Sequence, residues 1–179
     1  MSSSWSSSGA RAALAAAIAC ALAAPAVADS APPSWMTVDA ASKTVHFTIQ
    51  MAENGNNGTL NFNGYAHGGM TITVPLGWNV KMKVTNAGAG AIPHSLEIIA
   101  QTETTPPQGV EPPFFDGAET VNLINGLSVG QSDEVDFVAS TAGHYWMFCG
   151  VPDHGVGGMW DNFVVSATAT APMVTFSGS

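Results

Sequence analysis

From residue 43 onward the chain alternates apolar and polar residues in short runs broken by turn residues. Residues 44–51, TVHFTIQM, set Val45, Phe47, Ile49 and Met51 against polar neighbours, and the turn cluster NGNNG at 54–58 then ends the run. Successive side chains of a strand point to opposite faces, so strict alternation predicts half-buried strands. The same pattern predicts strands over 59–63, 70–74, 78–85, 94–100, 120–123, 132–138, 143–149 and 160–166. Beyond residue 28 no window of ten or more residues carries a helical apolar period. Many short strands joined by Gly- and Pro-rich turns predict an all-β fold, a β-sandwich or barrel. Two segments break the pattern. Residues 101–117, QTETTPPQGVEPPFFDG, hold four prolines and read as a long surface loop. Residues 167–179, rich in Ala, Thr and Ser, read as a tail or one extra edge strand.

The N-terminal segment has a different character. Arg11 precedes an unbroken apolar run at 12–24, AALAAAIACALAA; Pro25 ends it, and Ala26-Val27-Ala28 forms an A-x-A cleavage site before Asp29. Thirteen apolar residues fall short of the about 20 needed to span a bilayer and match the core of an export signal. Residues 1–28 are therefore expected to be a signal peptide, with an uncleaved anchor as the alternative, and 29–179 a single domain. Ala17 stands where a lipoprotein signal needs Leu before Cys20, which argues against lipidation at that cysteine.

Charge narrows the partners. Only 9% of residues are charged, with 4 Lys and Arg against 13 Asp and Glu. Phosphate binding needs a basic patch, so a nucleic-acid partner is excluded. Loss of Arg11 with the signal takes the formal net charge from −9 to −10. Acid unfolding largely comes from protonating carboxylates that are paired in the native state. A chain with so few ion pairs has little to lose at low pH, and an acidic extracytoplasmic setting is expected.

Export also changes the meaning of the cysteines. The chain has 2, and Cys20 goes with the signal. Cys149 then has no intramolecular disulfide partner, and a lone thiol in an oxidising compartment is buried, reactive or bound to something. It sits in FCGVPDHGVGGMW, residues 148–160, where Cys149, His154 and Met159 recur at five-residue intervals. Thiolate, imidazole and thioether form a soft donor set; one Cys, two His and a weak axial Met select copper. The four glycines and one proline between Cys149 and Met159 let the backbone curl around a point.

A fourth donor must come from elsewhere. His46 alternates out of phase with Val45 and Phe47 and reads as a solvated strand position. His67, in GYAHGGM, reads as an exposed turn residue. His144 precedes Cys149 by five residues on one strand, about 17 Å away if extended, and is excluded. His94, after Pro93 at the start of a strand, is the best remaining partner. Met51, Met70, Met82 and Met147 read as core or strand-face residues, and Trp146, Phe148 and Trp160 as core packing around the site. Val151, Pro152 and Val156 are expected to form an apolar surface patch around an exposed His154 edge.

Two separated blocks carry a family resemblance. The loop CGVPDHGVGGMW, and upstream LNFNGYAHGGMTITVPLGWNVKMKVTN (60–86) with IPHSL (92–96), resemble the cupredoxins, closest to the sulfocyanins and more distantly the rusticyanins. The likeness covers roughly 45–165. It implies a Greek-key cupredoxin sandwich or barrel and one type 1 copper ion held by His94, Cys149, His154 and Met159. It implies an electron carrier of a respiratory chain, with partners such as cytochromes or a terminal oxidase, working as a monomer in the periplasm or at the outer face of the cytoplasmic membrane. Many cupredoxins have Asn after the first His ligand; here it is Ser95, as in rusticyanin, which leaves the potential open. The rival readings are an exported copper-binding or resistance protein without electron transfer, and zinc or nickel in place of copper. A multicopper enzyme needs further centres, and the mature chain has no second Cys or His cluster to supply them.

Overall fold

The computed structural model describes Met1 and residues 31–177. Apart from Met1, the expected signal peptide at 1–28 lies outside the described residues. The described chain forms nine strands: β1 (Met36–Asp39), β2 (Thr44–Met51), β3 (Met70–Pro75), β4 (Asn79–Asn86), β5 (Glu97–Ala100), β6 (Ser132–Val138), β7 (Gly143–Phe148), β8 (Trp160–Ser166) and β9 (Met173–Phe176). They build a four-stranded sheet, β1-β2-β4-β6, and a five-stranded sheet, β5-β7-β8-β3-β9. The fold is therefore the expected all-β sandwich, and the two sheets do not close into a barrel.

Alternation explains the core. In β2, Val45, Phe47, Ile49 and Met51 are buried, while His46 and Thr48 face solvent. Val80, Met82 and Val84 of β4 do the same, and meet Met70, Ile72, Val74, Tyr145, Met147, Phe163 and Val165 from the other sheet. Apolar surface removed from water between two sheets in this way is the main stabilising term. Two pairings are parallel, β2 with β4 and β3 with β8; the second joins Ile72 to Phe163.

The structure corrects several expectations. Residues 59–63 form no strand. A 3-10 turn, Asn56–Thr59, leads into an irregular segment held by isolated bridges at Phe62. There Asn61 and Asn63 turn inward and use their amides on backbone groups of Glu53, Asn54, Asn56 and Thr48, among others. Residues 120–123 form a turn. Strand β5 begins at Glu97, and His94 only bridges to Leu127. Strand β1, too short and one-sided for alternation to reveal, pairs antiparallel with β2. The C-terminal segment is the edge-strand alternative: β9 pairs antiparallel with β3. Trp146 and Phe148 are buried away from the main core, in a second cluster with Ile99 against which Trp160 packs.

Candidate metal centre

Sheet topology brings the four donors together. Strand β7 is antiparallel to both β5 and β8, and Phe148 pairs with Glu97 on one side and Trp160 on the other. The end of β7 and the starts of β5 and β8 therefore lie at one edge of the sheet. Cys149 directly follows β7, Met159 directly precedes β8, and His94 stands three residues before β5.

The donor atoms of His94, Cys149 and His154 all lie within 4.8 Å of one another. His94 Nδ1 is 3.1 Å from Met159 Sδ, and Cys149 Sγ is 3.5 Å from His154 Nδ1. The two imidazole centroids are 5.0 Å apart. His94, Cys149 and Met159 are fully buried; His154 is half-buried. The Nδ1 atoms and the Met159 sulfur thus face one another without a carbonyl or carboxylate among their partners, and His94 Nε2 is buried with no partner. Two imidazoles, a thiol and a thioether aimed at one small volume fit a soft metal ion. His46, His67 and His144 are exposed and lie outside this group.

The loop between Cys149 and Met159 is tied internally. Met159 N–H donates to His154 O at 2.9 Å, Cys149 N–H to Met159 O at 3.1 Å, and Gly157 N–H to Asp153 O at 2.8 Å. Gly155 lies against the Phe148 ring so closely that a Cβ there would collide with it. The segment 101–117 is irregular, as expected, but it also braces the loop: Asp153 N–H donates to Pro107 O at 2.7 Å and Gly109 N–H to Gly150 O at 2.8 Å. On the other side, Leu127 exchanges both backbone bonds with His94, and the buried Asn86 amide donates to Leu127 O.

Ser95 connects the two halves of the site. Its N–H donates to Cys149 Sγ at 3.4 Å, and its Oγ lies 3.9 Å from the sulfur while accepting from Gly150 N–H at 2.9 Å. Burial pushes the Cys149 thiol up to about 11, against the pull of the Ser95 and Val151 N–H groups. Metal coordination deprotonates a thiol outright, which overcomes that burial. Burial, helped by the charge of His154, pulls His94 down to about 4; burial also lowers His154, opposed by Asp153. His94 is thereby held in the neutral, ligating form into acid, and burial favours the same form at His154. The apolar patch is smaller than expected: Pro152 and Val156 are exposed, but Val151 is buried in the main core.

Two buried carboxyls near the site went unnoticed in the sequence. Glu97 is fully buried and accepts from Val110 N–H at 3.1 Å, and Asp161 is fully buried and accepts from Met70 N–H at 2.9 Å. Burial raises Glu97 to about 8 and Asp161 to about 7. Glu97 is out of phase with Leu96 and Ile98, where alternation predicts exposure, whereas Asp161 shares the buried face of β8 with Phe163 and Val165.

A two-sheet sandwich with His, Cys, His and Met converging at one edge of a sheet defines the cupredoxin class of site. The sulfocyanin (SoxE) domain matches residues 33–176. A sulfocyanin of Sulfolobus acidocaldarius is 36% identical over 138 residues, covering 73% of this chain and 68% of that protein. The chain belongs to the sulfocyanin family. Among solved structures, dithionite-reduced auracyanin from Roseiflexus castenholzii superposes with a TM-score of 0.50 at 23% identity, covering 70% of this chain and 98% of that one. Reduced rusticyanin superposes with a TM-score of 0.51 at 23% identity, covering 69% and 80%. These likenesses show the shared fold.

Proposed function

We propose that this protein is an exported type 1 copper protein that carries single electrons between redox partners of a respiratory chain, and that it is not an enzyme. The observation that carries this reading is the convergence of His94 Nδ1, Cys149 Sγ, His154 Nδ1 and Met159 Sδ. One Cys and two His with a weak axial Met is the donor set of blue electron-transfer sites. The bound copper would supply a one-electron couple, and the auracyanin and rusticyanin that share the fold are both described in reduced form.

The chain's own residues supply the rest. Cys149, His94, His154 and Met159 would hold the copper. Ser95 N–H donates to the thiolate sulfur, a hydrogen bond of the kind that tunes a metal site. Burial of three donors excludes water. The braces from Pro107, Gly109 and Leu127 hold the donors in place, so that little need move when the charge changes. His154 is the donor that reaches the surface, and Pro152 and Val156 beside it offer a small apolar face for brief docking of a cytochrome or terminal oxidase. Among the described residues, His94, Cys149 and His154 are the one group of three such side chains close enough to hold a metal, which favours a carrier over a multicopper catalyst.

Copper(II) added to the metal-free protein should give an intense visible band that a reductant bleaches reversibly and that Cys149→Ser lacks. A colourless wild type sinks the copper reading. A coloured protein that cannot be cycled points to copper storage, and metal analysis of natively purified protein distinguishes zinc or nickel. Export is proposed from 1–28; mass spectrometry of the secreted form should place its N-terminus at Asp29, whereas a membrane-bound form retaining the segment indicates an anchor.

A further inference from the structure

Met159 is held on its inner side by the loop itself: its N–H bonds to His154 and its C=O to Cys149. The two peptide groups just before it are held from outside, by residues from a different part of the chain. His67 N–H donates to Gly158 O at 2.9 Å, beside the bond of 2.8 Å that this carbonyl accepts from Trp160 N–H. The Asn57 side-chain amide donates to Gly157 O at 2.9 Å and to Leu60 O at 3.0 Å. The two residues also bond to each other, with His67 Nε2 3.2 Å from Asn57 Oδ1. Because Asn57 spends its N–H groups on two carbonyls, its Oδ1 is the acceptor and His67 Nε2 must be the donor. That polarity suits both the neutral Nε2–H ring and the doubly protonated ring.

Two further features show that the pair is shaped to the loop. Gly158 has φ +95°, and a Cβ there would collide with the His67 ring, so ring and glycine are in contact. Asn57 and His67 both have positive φ, +49° and +54°, a region that non-glycine residues seldom occupy and where Asn and His are among those that do. Each backbone is bent so that its side chain or N–H meets a carbonyl of the loop. The His67 ring also stands edge-on to Trp160, the residue after Met159, with centroids 6.5 Å apart.

We propose that Asn57 and His67 form an external clamp that positions Met159, making them positioning residues for the axial donor although neither touches the site. Neither residue is needed for the sandwich: His67 is exposed, and both lie outside the strands. The clamp fixes the carbonyls of 157 and 158, and with them the direction in which the Met159 side chain leaves the backbone. The inference rests on the copper reading only where it concerns the potential; the clamp itself is a property of the metal-free chain.

The test uses full-length protein with His67→Ala, His67→Gln and Asn57→Ala. Gln keeps an amide donor close to the place of Nε2. His67→Ala keeps the backbone N–H on Gly158 O but removes the Nε2 bond that aligns the Asn57 amide, and Asn57→Ala removes that amide from Gly157 O. In the metal-free protein, amide exchange at Met159 should quicken about tenfold in each, the change that loss of one hydrogen bond predicts, and return towards wild type in His67→Gln. In copper-loaded protein the reduction potential and the visible band should shift in the two alanine variants and be restored by Gln. Wild-type exchange and potential in both alanine variants overturn the clamp. Equal damage in His67→Gln and His67→Ala also overturns it, since a merely space-filling ring would give that result. If the wild type takes up no copper, the functional reading fails, while the exchange rates still decide the clamp.

Discussion

Replacing Glu97 by Gln isolates the titration of one buried carboxyl. Burial, reinforced by the charges of Glu119 and Glu111 and opposed by the Val110 N–H, raises Glu97 from 4.5 to about 8 in the folded protein. Below pH 4.5 both states are protonated and its contribution to stability is fully present. As pH rises, the unfolded chain releases a proton that the folded chain keeps, so stability falls until the pH passes the folded value near 8. Between about pH 5 and 8 linkage gives a loss of about 3–4 kcal/mol, at most about 1.36 per pH unit. Gln keeps an acceptor for Val110 N–H and cannot ionise. Urea unfolding of both proteins in metal-free form, at matched pH values, cancels the other titrating groups. The Gln variant should be near wild type at the acid end and progressively more stable towards neutrality. A stability difference that stays flat across this range refutes the raised carboxyl.

Other perturbations test the site. Ser95→Ala leaves the Gly150 N–H buried without its acceptor and should cost about 1–3 kcal/mol by calorimetry, with a shifted potential in the copper form. Gly155→Ala drives a Cβ into the Phe148 ring; overpacking of this kind costs about 1–3 kcal/mol, read as a lower melting temperature. His94 in the metal-free protein should titrate near pH 4 by NMR, its depressed value making the apoprotein lose stability as pH falls from about 6.5 through 4. Copper loading should abolish that titration.

Much of this was legible in the sequence because two signals were strong. Alternation marks β2, β6 and β8 residue for residue, since each buries one face against the opposite sheet. The Cys149–His154–Met159 spacing survives folding because glycines allow one tight loop to present all three. What stayed hidden depends on distant contacts. Leu60 and Phe62 alternate with Asn61 and Asn63 like a strand, but the asparagines bond inward to backbone and keep the segment irregular. Val151 looks like a surface loop residue until the segment around Gly126 and His94 closes beside it. Glu97 occupies a position that alternation assigns to solvent, yet the 101–117 loop covers it, and Asp161 puts a carboxyl on the apolar face of β8, where Met70 N–H meets it. No spacing rule links Asn57 and His67 to the carbonyls of Gly157 and Gly158, 100 and 91 residues later.

The parallel pairing of β3 with β8 sets the order in which the molecule can assemble. Ile72 cannot find Phe163 until nearly the whole chain is available, and β9 must then add outside β3. Folds dominated by such long-range pairings close large loops before contacts reward them, and fold in milliseconds to seconds. The four-stranded sheet, by contrast, needs only residues up to Val138. Cys149, His154 and Met159 lie beyond that point, so the donor cluster belongs to the late part of folding. A chain interrupted just after β6 would already hold the four-stranded sheet and His94, and would lack the other three donors with which to grip a metal.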